Sequence, residues 1–326
     1  MATVRPFAAL RPPAAYAEQV SCLPYDVMNH QEAKAMARGN VMSFLHICRS
    51  DIDLEDESLI HEQAAYDMAR SNLLKFQEEG ILDRDPTSRF YIYRQIMHGR
   101  VQTGIVACAS VDEYLDGTIK KHELTRAEKE LDRIRHFDTC SAQTEPVFLA
   151  YRKHEGISHQ INEWIKFHKP VYDFTTSDGV THLFWDIDDS AVIGTIESYF
   201  REVDTLYIAD GHHRTASSAT VSGNRRQKYP NYTGKEEFNY LMAVIFCDED
   251  LFIMDYNRVV KDLNGLSEAD FITRIQENFD MTPVDAPEGY SPKSKHEFGL
   301  YLSKQWYSLK AKPGSFSEND PVASLD

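Results

Sequence analysis

Thr205-Leu-Tyr-Ile-Ala-Asp-Gly-His-His-Arg-Thr-Ala-Ser-Ser-Ala219 is the stretch on which the reading of the fold turns. The apolar run Leu206 to Ala209 has the length of a short buried strand. Asp210-Gly211 then turns the chain, because glycine takes backbone angles closed to other residues. The small residues after Arg214 suit a helix lying close against a sheet. A strand, a glycine turn and a helix start gather free backbone N–H groups at one point. The helix dipole adds partial positive charge there, so anions are attracted to it. Arg214 offers a planar fork for phosphate or carboxylate oxygens. It reads as a cleft residue rather than a core residue, so its replacement should change folding stability little. Asp210 could hold a metal ion or orient a histidine. The plainer alternative is an ordinary Asp-Gly turn beside a solvated His-His-Arg cluster. Neighbouring histidines on a helix diverge by about 100°, so His212 and His213 are a poor chelating pair.

The whole chain sets bounds on this site. Hydrophobic residues make up 42% and charged residues 26% of 326, enough for a sizeable core. With 51 acidic and 35 basic residues the net charge is −16, which opposes binding to a nucleic-acid backbone. Arg225, Arg226 and Lys228 form one small basic cluster. Cys22, Cys48, Cys108, Cys140 and Cys247 are odd in number and widely spaced, without Cys-x-x-Cys. That usage fits a reduced compartment better than a disulfide scaffold or zinc site. No signal-peptide core and no apolar run of about 18 residues occurs, so a soluble, cytoplasmic protein is expected.

Outward from the motif, strands and helices interleave. Arg5 to Pro13 is too rich in proline for helix and reads as an extended edge segment. Asn29 and Glu32 form a capping box for a helix from His30 to Ala37. Val41 to Cys48 alternates like a strand. Asp56 to Glu79 is the clearest helix, with Ala65, Ala69, Leu73 and Phe76 at helical spacing. Phe90 to Gln95 and Thr103 to Ala107 form a hairpin about His98-Gly99. Ser110-Val-Asp-Glu113 and Thr125-Arg-Ala-Glu128 match further capping boxes. Between them stands the second polar constellation, Lys120, Lys121, His122 and Glu123, on a loop just before a helix. Its duller alternative is a solvated charged loop.

Pro146 to Tyr151 is a strand, then Ser158 to Phe167 a helix, then a hairpin about Ser177-Asp178-Gly179. Asp186, Asp188 and Asp189 look like a metal cluster, or equally like acidic residues at the start of a helix from Ser190 to Val203. Tyr240 to Phe246 and Leu251 to Met254 read as strands, Ser267 to Phe279 as a capped helix, and Phe298 to Leu302 with Gln305 to Leu309 as a closing hairpin. The final Pro-Val-Ala-Ser-Leu-Asp reads as the approach to a further element. The class is α/β (α+β), a mixed sheet with flanking helices, in one large unit over residues 1–326 with no clear linker.

Arg5-Pro-Phe, Pro24-Tyr-Asp-Val27, Asn40 to His46, His122-Glu-Leu-Thr125 and Ala209-Asp-Gly-His-His-Arg214 occur in this order in one bacterial and archaeal family. The chain is identified as a member of that family, the domain of unknown function 1015. Members continue past Asp326, so the chain is expected to be a truncated piece. The Asp-Gly-His-His-Arg string is similar to the phosphate-binding motif of the ParB/sulfiredoxin-like superfamily, which includes CTP-binding ParB proteins, sulfiredoxin and free-serine kinases. The resemblance implies a ParB/sulfiredoxin-like core over residues 109–265. Sulfiredoxins carry a cysteine where His212 stands, which disfavours sulfinic-acid reduction. The serine kinases carry Asp-Gly-His-Thr-Arg, with His213 standing in place of their threonine. They also use an upstream glutamate as base, for which Glu123 is the candidate.

Two functions are expected on these grounds. The first is a nucleotide-dependent kinase acting on a small hydroxyl compound such as free serine, with ATP or ADP (CTP as a further candidate) and Mg²⁺. Gly211, His212, His213 and Arg214 would hold the nucleotide phosphates, with Lys120 as a further contact. Asp210 with Mg²⁺ would bridge phosphate oxygens, and Glu123 or His122 would take the hydroxyl proton. The second is a nucleotide-binding regulator that uses the same cradle and needs no base. A nucleic-acid binder is disfavoured by charge, and oligomeric state is left open.

Overall fold

The strand Tyr240–Cys247 is apolar throughout, and such a strand must be covered on both faces. In the computed structural model of the chain it lies inside a nine-stranded mixed sheet. The structure describes residues 1–317 and 319–320, and the closing Pro321 to Asp326 lies outside them. The chain forms two compact units, Met1–Leu251 and Phe252–Asp326. The boundary falls at the start of residues 252–260, which form no regular element. A strand over Leu251 to Met254 was expected there. An apolar run becomes a strand only where a neighbour completes its hydrogen-bond ladder, and among the described residues none does.

The first unit begins with β1 (Val4–Arg5), β2 (Leu10–Arg11), α1 (Ala17–Val20), α2 (His30–Ala37), α3 (Leu45–Cys48), α4 (Gln63–Glu78) and β3 (Asp83–Arg84). Then come β4 (Phe90–Met97), β5 (Arg100–Ser110), α5 (Val111–Leu115), β6 (Ile119–Lys120), α6 (Ala127–Cys140), β7 (Val147–Tyr151) and α7 (Glu155–Phe167). It closes with β8 (Tyr172–Thr175), β9 (Thr181–Ile187), α8 (Ser190–Phe200), β10 (Leu206–Asp210), α9 (His212–Lys228) and β11 (Tyr240–Cys247). The sheet runs β6-β10-β7-β11-β5-β4-β9-β8, with β1 also paired to β5. Pairing is parallel for β6 with β10 and for β7 with β11, and antiparallel elsewhere in this sheet. The second unit holds α10 (Glu268–Asn278), β12 (Phe279–Val284), β13 (Glu297–Leu302) and β14 (Gln305–Ala311), with the three strands in the order β12-β14-β13.

Alternation along β11 assigns its two faces. Leu241, Ala243 and Ile245 join a core with Ile157 and Ile161 of α7 and Ile196 and Phe200 of α8. Tyr240 and Met242 instead line a cavity with Phe137 of α6 and Val221 of α9. The β7 ladder begins only at Val147, opposite Ala243. Before that point the Gln143 side chain continues it, donating to the Tyr240 carbonyl and accepting from Met242 N–H, each at 2.6 Å.

Several local expectations were met and several overridden. The Asn29–Glu32 capping box is present. The Ser110 box does not form, because the Glu113 carboxylate instead accepts the distant Thr3 N–H. The Thr125 box also fails: α6 starts one residue later, and Thr125 donates to Glu130. Val41 to Cys48 is no strand but a turn leading into α3. Asn40 and Ser43 accept backbone N–H groups two residues on, and such local bonds nucleate turns. Asp186 is bound by Arg89 and Arg11, and Asp189 caps α8, so the duller reading of that acidic cluster holds. Among the described residues no group of metal-ligating side chains assembles, and no helix is long and apolar enough to cross a membrane.

Two substitutions test this packing. Gln143→Ala leaves a donor and an acceptor of β11 without partners and should cost about 1–3 kcal/mol, read by urea denaturation. The second concerns His136 of α6, whose pKa is pushed down to about 4 by burial and secondarily by Arg133. The folded state resists protonation that the unfolded chain accepts near 6.5. Stability from this residue is therefore full above pH 6.5 and declines as pH falls towards 4, by up to about 3 kcal/mol. His136→Asn should flatten the stability slope across that window relative to wild type.

Candidate functional site

Strand β10 enters the site through a bulge. Ile208 pairs with Leu149 and Asp210 with Phe148, leaving Ala209 extra. A bulge bends the strand and re-aims the residues beyond it. Gly211 then takes φ +92°, a left-handed conformation, and α9 starts at once. No side chain caps the helix start, so its first-turn amides keep their positive end of the dipole uncovered by a cap.

The Arg214 side chain folds back beneath this turn. A methyl group added at Gly211 would stand 3.1–3.2 Å from the guanidinium. Its Nη2 donates to Asp210 Oδ2 and its Nη1 to the Pro146 carbonyl, each at 2.5 Å. Arg214 is 7% exposed. It is a buried clamp that orients Asp210 and ties β10 to the start of β7, and this corrects the reading of a solvent-facing fork. The Asp210 side chain stays 66% exposed.

The two consecutive histidines diverge as helix geometry requires, and both fasten the loop between β6 and α6. Nε2 of His213 accepts the Arg126 N–H at 3.0 Å. Nε2 of His212 accepts the His122 N–H at 3.5 Å, and the two rings meet edge to face at 4.5 Å. An Nε2 that accepts leaves the ring proton on Nδ1. Nδ1 of His212 lies 3.7 Å from Glu123 Oε2, longer than a hydrogen bond but in direct approach. Burial, and then His122, hold the His212 pKa below its ordinary value, so the ring is a neutral donor towards the Glu123 carboxylate. Glu123 is 58% exposed. Lys120 is exposed, with its Nζ 5.9 Å from the Tyr207 ring centre.

The two polar strings of the sequence thus come together. Glu123 and His122 lie at His212, with Asp210, Gly211, His213 and Arg214 on the adjoining turn. The basic cluster does not form a free patch, since Arg225 pairs with Asp138 and Arg226 with Asp112. Sequence reading missed Glu145, which is buried just before β7. Its Oε1 accepts Tyr25 N–H at 3.1 Å, and Oε2 has no partner. Burial raises its pKa, while Arg133 and Arg214 pull it down. An acidic residue set directly against the apolar run Val147 to Tyr151 was the available signal. In the family string Pro24-Tyr-Asp-Val27, Tyr25 stacks under Arg133 at 4.0 Å. Two cavities of about 390 and 590 Å³ occur in this unit, and neither is lined by Glu123, His212 or Asp210.

Arg214→Ala should lower folding stability by about 1.5–3 kcal/mol, the range for hydrogen bonds made by a charged group. Gly211→Ala should cost about 1–3 kcal/mol, because an L side chain is strained at positive φ. Urea midpoints of both variants check this, and an unchanged Arg214→Ala midpoint would return Arg214 to the free fork first read from the sequence.

Comparison with curated proteins returns no match, and neither does comparison with solved structures. Matched over residues 4–326 by the family model described as Protein of unknown function (DUF1015), the chain belongs to that family.

Proposed function

We propose that the protein is a nucleotide-dependent phosphotransferase acting on a small hydroxyl compound, with free serine as the first candidate. The observation that carries this reading is the approach of Glu123 to His212 at the uncapped start of α9. Phosphoryl transfer depends mainly on positioning and charge stabilisation, and the two halves of that requirement stand side by side. The first-turn amides of α9 suit phosphate oxygens of ATP, ADP or CTP, and the exposed Asp210 carboxylate suits Mg²⁺. A bound Mg²⁺–nucleotide would supply the phosphoryl group and neutralise its charge. Within the chain, Arg214 fixes Asp210, and His212 Nδ1–H faces the Glu123 carboxylate. Glu123 takes the proton from the acceptor hydroxyl, as a positioned carboxylate can. His213 holds the Glu123 loop in place through Arg126 rather than touching phosphate. The resemblance to a ParB/sulfiredoxin-like core and to serine kinases supports the same reading.

A regulator that binds nucleotide without turnover is the second reading. It is favoured by the position of the cradle outside the two cavities of about 390 and 590 Å³.

Glu123→Gln separates the two. It keeps shape and removes the base, so phosphorylated product should fall by about 10²–10⁴-fold while nucleotide affinity stays equal or tightens slightly. Phosphorus NMR of product, beside calorimetric nucleotide binding, reads both quantities. Wild type that binds nucleotide yet phosphorylates no hydroxyl compound would leave the regulator reading standing.

A further inference from the structure

Five cysteines are spread along the chain, and the fold brings two of them together. Cys22 stands in the irregular stretch between α1 and α2, and Cys48 is the last residue of α3. Their Sγ atoms are 3.9 Å apart. Among the described residues no other pair of thiols meets, and no third side chain joins these two as a metal ligand. Hydrogen bonds on both sides keep the two segments in place. The Phe44 N–H donates to the Val20 carbonyl at 3.0 Å on one side. On the other, Arg49 Nη1 donates to the carbonyls of Tyr25 and Met28 at 3.2 and 2.8 Å. The thiols are held in contact by bonds a few residues away in either direction.

The two are not equivalent. Cys48 is 2% exposed, in an apolar cluster with Ala33, Ala37, Leu45 and Ile52. Its contact with Cys22, and then burial, hold its thiol pKa above the ordinary value, so it stays protonated. Cys22 is half-buried, on a stretch whose Ser21, Leu23 and Pro24 are exposed. The other three cysteines are buried and lack a thiol partner. Burial pushes the Cys108 thiol up to about 12 and the Cys140 thiol up to about 11. The thiolate is the nucleophile, so burial of this kind makes a cysteine inert.

We propose that Cys22 and Cys48 are a redox pair that hydrogen peroxide converts to a disulfide, fastening residues 22–28 onto α3. The Cys22 sulfur attacks one peroxide oxygen, the O–O bond breaks, and the departing oxygen leaves as water with the Cys22 proton. Cys22 is then a sulfenic acid. The Cys48 sulfur attacks the Cys22 sulfur, the S–O bond breaks, and hydroxide leaves with the Cys48 proton as a second water. Two electrons pass from the two thiols to one peroxide. The sulfurs must close from 3.9 Å to about 2.0 Å. Cys48 is fixed in a helix, whereas residues 21–29 form no helix or strand, so the closing movement falls on the Cys22 side. A disulfide of this kind in a reduced compartment is transient and senses the oxidant. Its effect reaches Tyr25, whose N–H Glu145 accepts and whose ring lies under Arg133. The inference is independent of the phosphotransferase reading.

The test is brief exposure of the folded full chain to hydrogen peroxide, then denaturation, iodoacetamide labelling of free thiols, trypsin digestion and mass spectrometry. Trypsin separates the two cysteines at Lys34 and Arg38. Of the five thiols only Cys108, Cys140 and Cys247 should remain labelled, with Cys22 and Cys48 in one linked peptide pair that dithiothreitol separates. The thermal midpoint of the oxidised chain should rise by about 5–10 °C, because the link restricts the unfolded chain. Cys22→Ser should fold as wild type, keep Cys48 labelled after peroxide and lose the rise in midpoint. Cys48→Ala should leave Cys22 as a sulfenic acid that dimedone captures. Five labelled thiols after peroxide, a link between any other pair, or Cys22 carried to sulfinic acid without a link overturns the proposal. A Cys22–Cys48 link that forms as fast in urea overturns it too, because the native contact would then have no part in the reaction.

Discussion

The contact on which the site depends is the docking of the β6–α6 loop onto the first turn of α9 by two adjacent histidine rings. His213 takes the N–H at the start of α6, and His212 takes the N–H of His122. Each ring nitrogen accepts a backbone N–H of the loop. The divergence of consecutive helical side chains makes the pair useless as a chelator and effective as a two-point fastener. Glu123 is carried to His212 as a consequence. Nothing in the β10–α9 turn alone would bring a second carboxylate, beside Asp210, to that helix start.

A second layer of constraint lies beneath. Arg214 is packed against Gly211, so a side chain at 211 would crowd the buried guanidinium. The Arg214 charge is answered by Asp210 and by the Pro146 carbonyl, which couples the turn to the start of β7. One residue before Pro146, Glu145 accepts from Tyr25, and Tyr25 stacks under Arg133. A chain of contacts therefore runs from the exposed Asp210 through buried charges to the wall of the larger cavity. Its hydrogen-bonded links involve buried groups, so a lost partner in one of them leaves an unmet group in a low-dielectric setting.

Much of this was legible beforehand. The strand, glycine turn and helix at 205–219 carried strong local signals, and so did both hairpins of the first unit and the helix expected over Asp56 to Glu79, which forms from Gln63 to Glu78. Legibility failed where distant partners decided the outcome. Glu113 could cap its own helix by local rules, but Thr3 N–H, far off in the chain, captured it. Val41 to Cys48 was ambiguous because a short apolar run fits two periods. Leu251 to Met254 had strand composition and no ladder to join. Arg214 read as a ligand because no residue near it in the sequence shows that Pro146 lies beneath it. Arg133 and His136 were passed over for the same reason: nothing local marks a polar residue on a helix face as buried with an empty bond.

The central claim is the pairing of His212 with the Glu123 loop, and its ring tautomer reports it directly. Long-range proton–nitrogen correlation NMR can separate the Nδ1–H and Nε2–H forms among the 13 histidines once His212 is assigned by substitution. The account predicts a neutral His212 with its proton on Nδ1, and a shift of that nitrogen when Glu123 becomes glutamine. An Nε2–H tautomer indifferent to Glu123 would contradict it, because the loop could not then be docked as described.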